Sequence, residues 1–189
     1  LELHKGLADY TNGAMRESVR HIVGVQFRNC ATVGGSIFGR YGFSDVLTMF
    51  LAMDSYVELY KGGIIPMKEF SQMKKDRDIL VRIIVKKVPM HTVYLSQRNF
   101  PVLTCAVGLE EKKVRIVIGA RPQKAMLIEK ELESSFKFKV EEVEALAEEV
   151  QKLVPTGSNM RASAEYRSHL VKVLTKRALV QVEGDANEN

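Results

Sequence analysis

Five consecutive residues, Thr32-Val33-Gly34-Gly35-Ser36, carry the strongest chemical signal in this 189-residue chain. Adjacent glycines let main-chain N–H groups converge on one point, and the missing Cβ atoms let an anion approach the backbone, which is how a loop cradles phosphate. The hydroxyls of Thr32 and Ser36 flank the pair, and Asp45 follows Ser36 by nine residues. A carboxylate there can accept hydrogen bonds from sugar or ribityl hydroxyls, so a nucleotide with a pyrophosphate would use every one of these groups. The plainer alternative is a tight turn, with Asp45 merely favouring the start of a helix, because Gly-Gly is common in turns. The residues alone admit both.

Other catalytic patterns are absent from the sequence: there is no Gly-x-Ser-x-Gly elbow, no Walker loop and no His-Glu-x-x-His helix. His4, His21, His91 and His169 are scattered, so no metal site is expected and no residue is assigned as a general acid or base. Tyr94, Tyr166 and Phe38 could stack on a planar ring, but aromatic residues so placed more often belong to the core. Cys30 and Cys105 lie among apolar neighbours without a partner, which predicts free thiols and a reducing, cytoplasmic setting.

The composition is that of a globular protein, 46% hydrophobic and 27% charged, which excludes disorder, collagen and disulfide-stapled scaffolds. Lys and Arg outnumber Asp and Glu by 28 to 23, for a net charge of +5. These cations are dispersed among acids, with only short Lys doublets, so a mildly positive surface is expected and nucleic acid is not. No uncharged apolar run reaches the length of a membrane span. The amino end has neither an initiator Met nor a leader pattern, and the chain reads as if it starts within a longer protein.

Apolar spacing predicts a helix over residues 14–23, with Asn12 as its cap and Gly24 as its stop. A glycine-dense stretch follows, expected to hold special backbone conformations, and Ser44-Asp45 then opens an apolar helix over 46–53. Residues 56–60 and 64–65 flank Lys61-Gly62-Gly63 as a hairpin, 66–71 read as a connector, and 79–85 as a β-branched strand. Residues 86–91, with Pro89, mark the expected boundary. Strands are predicted over 92–96, 102–109 and 114–119, then helices over 126–133, 140–154 and 160–180. Val140, Val143, Leu146, Val150, Leu153 and Val154 should share the inward face of the second of these, opposite a solvated acidic face. Tyr166, Leu170, Val173 and Leu174 should do the same for the third. The fold class expected is α+β in two lobes, 1–87 and 88–182, the second a three- to four-stranded antiparallel sheet packed against helices, followed by a polar tail over 183–189.

The stretch Gln26-Phe27-Arg28-Asn29-Cys30-Ala31-Thr32-Val33-Gly34-Gly35-Ser36-Ile37, followed by Asp45-Val46-Leu47, closely resembles the FAD-binding subunit, or middle domain, of molybdenum hydroxylases such as xanthine and carbon monoxide dehydrogenases. A second segment, Arg161-Ala162-Ser163-Ala164-Glu165-Tyr166-Arg167, resembles that family's closing Arg-Ala-Ser-x-x-Tyr-Arg helix. The resemblance implies that Thr32, Val33, Gly34, Gly35 and Ser36 hold the FAD phosphates and ribityl chain. Asp45 matches a polar FAD contact, and Ile22 and Leu80 match apolar flavin neighbours. Two departures stand out: Ser36 replaces a common Asn, and Tyr94, counted four back from Arg98, falls where the family often has a basic residue.

The same resemblance implies an electron-transfer flavoprotein subunit of a xanthine dehydrogenase-like oxidoreductase, with purine favoured by family frequency. Iron–sulfur and molybdenum subunits would be its partners, carrying 2Fe-2S clusters and molybdopterin, with NAD or another acceptor taking electrons from FAD. A homo-oligomer is compatible with this. The family's first lobe carries its own Gly-Gly loop, and no second Gly-Gly precedes Gly34, so the chain is expected to be the carboxyl-terminal two-thirds of such a subunit. Alone, it is expected to bind FAD weakly or not at all and to be inactive. The rival expectation is a non-catalytic assembly module that no longer binds FAD.

Overall fold

A computed structural model describes residues 1–75, 77–97, 101–132 and 138–187. The first part of the chain forms helices α1 (Lys5–Tyr10), α2 (Ala14–Arg20), α3 (Val25–Cys30), α4 (Val33–Phe38) and α5 (Asp45–Leu51). Strands β1 (Ser55–Leu59) and β2 (Gly63–Pro66), helix α6 (Met67–Gln72) and strand β3 (Leu80–Val85) follow. The second part has strands β4 (Met90–Ser96), β5 (Thr104–Glu110), β6 (Lys113–Gly119) and β7 (Met126–Glu131), then helices α7 (Val140–Leu153) and α8 (Ala164–Asn187). Both sheets are antiparallel, ordered β2-β1-β3 and β4-β5-β6-β7, and the fold is α+β as expected.

The β1–β2 hairpin forms where anticipated. Gly63 takes φ +68°, a left-handed conformation that glycine adopts without steric cost. The Asp78 carboxylate clamps this turn by accepting N–H bonds from Lys61 at 3.0 Å and Gly62 at 2.9 Å.

The central strands β5 and β6 of the second sheet are buried on both faces, which explains why β5 reads as a continuous apolar run. Cys105, Val107 and Leu109 point into a core shared with α7 and α8, and Ala106 points the opposite way, into the core on the α5 side of the sheet. Helix α5 reaches the sheet because β5 has no side chain at Gly108. A Cβ there would lie 2.0 Å from the Ala52 carbonyl oxygen. Met90, Tyr94, Ala106 and Val117 of the sheet thus share one core with Met15, Ile37 and Phe50 of the first part.

Several local expectations change. Asn12 does not cap α2; Gly13, at φ +79°, takes that position, while the Asn12 Oδ1 accepts the Thr92 N–H at 3.3 Å. Residues 66–71, expected as a connector, fall largely within α6 (Met67–Gln72). The helix expected over 126–133 is the edge strand β7, paired along β6 from Lys113↔Glu131 to Ile118↔Met126; Glu133 lies outside the described residues. Helix propensity is a weak local preference, and an available sheet edge outweighs it.

On α7 the buried face is Val143, Leu146, Ala147 and Val150, and Val140 and Leu153 are exposed. Helix α8 starts at Ala164 and continues through the expected tail to Asn187, with Val182 buried and Glu183 accepting the Phe138 N–H at 3.1 Å. Tyr166 is exposed, and so is Cys30. Both cysteines are free. Among the described residues no helix is long and apolar enough to cross a membrane, and no cluster of His, Cys, Asp and Glu could hold a metal ion.

Candidate functional site

The Thr32–Ser36 segment is the start of a helix, with Gly34 and Gly35 inside the first turn of α4 and neither at positive φ. The glycine-dense stretch does hold one left-handed residue, Arg40 at φ +48°, but Gly34 and Gly35 are ordinary helical residues. Thr32 caps α4, its Oγ1 accepting the Gly35 N–H at 3.0 Å. The Ser36 hydroxyl donates back to the Thr32 carbonyl at 3.1 Å. Ser44 then joins α4 to α5: its hydroxyl donates to the Ser36 carbonyl at 2.9 Å and accepts the Leu47 N–H at 3.2 Å. Each cap satisfies an N–H that has no acceptor within its own helix. The two helix starts are thus held side by side, and glycine is useful here for the space it leaves. A Cβ on Gly34 would meet nothing within 4 Å, and one on Gly35 would crowd Thr32 Oγ1 at 3.0 Å.

These helix starts form one wall of a cleft of about 600 Å³. Thr32, Gly35, Ser36, Ser44 and Asp45 line its polar side. Ile22, Val23, Phe27, Tyr41, Phe43 and Val46 line an apolar side, and Arg161, from the loop before α8, borders the cleft. The Tyr41 and Phe43 rings stack at 5.2 Å with an interplanar angle of 11°, and the Lys75 ammonium sits 4.5 Å from the Tyr41 ring centre. Val23 holds φ +42°, a left-handed conformation that is strained for a β-branched residue.

Asp45 is the first residue of α5 and is largely buried. Its Oδ1 accepts a 2.6 Å hydrogen bond from the Tyr94 hydroxyl of β4. Burial raises the carboxyl to about 6, against the lowering effect of the Tyr94 bond. Burial, and the neighbouring Asp45 charge, push the Tyr94 phenol well above its usual range, so it remains a donor.

Of the expected site residues, Ile22, Thr32, Gly35, Ser36 and Asp45 line this one cleft. Val33, Gly34 and Leu80 do not line it. Val33 and Leu80 pack against the core of the first part, where α4 meets β3. Tyr94 is present as Asp45's partner; Arg98, from which its position was counted, lies outside the described residues. Sequence reasoning missed the lining roles of Tyr41, Phe43, Ser44 and Arg161. Two of them left a signal: Ser44 as a helix cap one residue before Asp45, and Arg161 as the first residue of the second family segment.

The Arg161–Arg167 segment works mainly as structure. Arg167 is almost fully buried, and its guanidinium donates to the Val102 carbonyl at 2.9 Å, the Ala162 carbonyl at 2.8 Å and the Asn159 side chain at 2.7 Å, and also to the Gly157 carbonyl. That network fixes the loop which brings Arg161 to the cleft. The space fits a dinucleotide cofactor: its volume is that of a ligand pocket, hydroxyl and main-chain groups suit phosphate and sugar, and the aromatic flank suits a planar ring.

Residues 2–90 match the family described as "FAD binding domain in molybdopterin dehydrogenase", and residues 96–182 match "CO dehydrogenase flavoprotein C-terminal domain". The chain belongs to the flavoprotein family of molybdopterin dehydrogenases that these two domains compose. It is similar to the uncharacterized protein YgfM of Escherichia coli strain K12, at 25% identity over 173 residues. That match covers 88% of this chain and 64% of YgfM, so the chain spans less than two thirds of its relative.

Solved structures share the fold. A carbon monoxide dehydrogenase from Hydrogenophaga pseudoflava superposes with a TM-score of 0.81 at 19% identity, over 93% of this chain and 69% of that one. Quinoline 2-oxidoreductase from Pseudomonas putida 86 gives 0.78 at 16% identity, over 98% and 71%.

Proposed function

We propose that the cleft between α3, α4 and α5 holds FAD and that the chain is the flavoprotein part of a molybdenum hydroxylase. The observation that carries this is the convergence, on one cleft, of the capped start of α4, the Asp45 carboxyl and an aromatic flank. Bound FAD would supply two-electron and one-electron redox chemistry. The chain's own residues bind, orient and exclude water. Gly35 leaves room for the phosphates near the α4 N-terminus, Thr32 and Ser36 offer hydroxyls, and Ile22, Phe27 and Phe43 flank the ring system. Asp45 meets a sugar or ribityl hydroxyl, and Gly34, Val33 and Leu80 shape the same helix and strand from behind. No residue here is assigned proton transfer in substrate oxidation.

In the finer proposal, iron–sulfur and molybdenum partner subunits deliver electrons to the flavin, and NAD or another acceptor removes them, in an enzyme of xanthine dehydrogenase type. Substrate choice, whether purine, carbon monoxide or an N-heterocycle, would belong to the molybdenum subunit. The test is titration of the chain with FAD, read by quenching of flavin fluorescence. Saturable quenching that Gly35→Val abolishes, with unfolding stability retained, is the expected result. A folded chain that leaves FAD fluorescence unchanged at every concentration, and still does so beside its partner subunits, favours the assembly-module reading instead.

A further inference from the structure

The Asp45 carboxyl occupies an unusual position, between two spaces. It lines the main cleft and also a small chamber of about 130 Å³, bordered by Glu17, Ser18, His21, Tyr94 and Ser96. The titratable and charged groups that share these two spaces with it are Tyr94 of β4, which contacts it, Glu17 and His21 in the chamber, and Tyr41 and Arg161 in the cleft. Glu17 pairs with Arg20 at 2.9 Å, and Arg20 also donates to His21 Nε2 at 2.9 Å, so these α2 groups are engaged with one another at the surface. The carboxyl accepts a direct hydrogen bond from the neutral phenol of Tyr94 at 2.6 Å.

We infer that Tyr94 is a positioning residue that holds Asp45 against the cleft wall through a neutral donor, so that Asp45 gains a proton when an anionic dinucleotide binds. The ligand in this inference rests on the proposed function above; the Tyr94–Asp45 pair does not. A neutral donor orients the carboxyl without supplying a counter-charge, whereas a lysine or arginine in its place would keep it ionised. A diphosphate brought into the cleft adds negative charge and removes water from a group already largely buried, and both favour the protonated carboxyl. The direction in which burial moves Asp45 agrees with this geometry. Proton uptake then links ligand affinity to pH, at up to tenfold per pH unit above the carboxyl's midpoint.

The experiment has two readouts on the whole chain. The first is a carbon-13 NMR titration of the side-chain carboxyls without ligand, with the Asp45 signal assigned by its loss in Asp45→Asn. The midpoint is expected at about 6 in the natural chain. It should rise by about one pH unit in Tyr94→Phe, which deletes a hydrogen bond to the ionised form, and fall in Tyr94→Lys. The second readout is FAD affinity against pH, expected to weaken above each variant's midpoint in the same order and to become flat in Asp45→Asn. An unchanged Asp45 midpoint in Tyr94→Phe overturns the positioning role. Midpoints that move while FAD binds with one common pH profile overturn the proton linkage. Midpoints that move while no variant binds FAD, even beside the partner subunits, leave the pair standing and count against the proposed cofactor.

Discussion

Lys68, on α6, donates its ammonium to the Glu129 carboxylate on β7 at 3.1 Å and so ties the first part of the chain to the edge of the second sheet. Glu129 also receives Lys113 at 2.7 Å and Arg115 at 3.3 Å, and its side chain is about one-quarter exposed. Burial by itself would raise this carboxyl; the Lys113 and Lys68 hydrogen bonds outweigh it and hold the group at about 2. A depressed carboxyl contributes stability that is present above its unfolded value, near 4.5, and lost as pH falls through about 2. Urea unfolding of Glu129→Gln should show a loss of about 1 kcal/mol at neutral pH, modest because water screens the site. It should also show a shallower decline below pH 4.5 than the natural chain.

Asp45 has the opposite sign. Its folded value of about 6 lies above the ordinary 3.8, so its contribution is fully present below 3.8 and is lost as pH rises through 6. The cost of ionising it in the fold is about 3 kcal/mol. Asp45→Asn should therefore remove most of that loss. Unfolding midpoints compared between pH 4 and pH 8 measure it; equal pH dependence in the two proteins would contradict the buried, uncompensated carboxyl.

Two glycines that look alike in sequence should respond differently to alanine. Gly108→Ala drives a Cβ to 2.0 Å from the Ala52 carbonyl, which is main chain and can yield only if α5 moves off the sheet. A loss of about 2 to 3 kcal/mol is expected. Gly34→Ala meets open space inside a helical turn and should gain about 0.5 to 1 kcal/mol. Chemical denaturation of both variants, side by side, checks the contrast.

Arg167 holds four acceptors with one planar fork. Arg167→Lys cannot reproduce that geometry and leaves buried carbonyls unpaired, for a loss of about 2 to 4 kcal/mol. Since the same loop carries Arg161 to the cleft, ligand affinity should fall along with stability. A variant as stable as the natural chain would show that the loop is held by other contacts.

The elements most legible in the sequence were those whose signal is local. Gly62-Gly63 between alternating apolar runs specified a hairpin, the long 3.6-residue repeat specified α7, and Thr32, Gly35 and Ser36 with Asp45 were legible as groups that could share a polar site. Even there the backbone was legible only in part. Glycine density suggested special conformations, and one occurs at Arg40, but Thr32 and Ser44 capping made ordinary helix starts on either side of it.

Sequence by itself determined the family pattern, the apolar segments and the side-chain chemistry brought to the cleft, because each is written in residue type and near-neighbour spacing. Tertiary structure alone decided that β7 is an edge strand, that α8 continues past Val182, that Gly108 lets α5 lie on the second sheet, and that Tyr94 meets Asp45 across 49 residues. Those outcomes depend on which surfaces the folded chain brings within a few ångströms, where burial and pairing exceed any local preference.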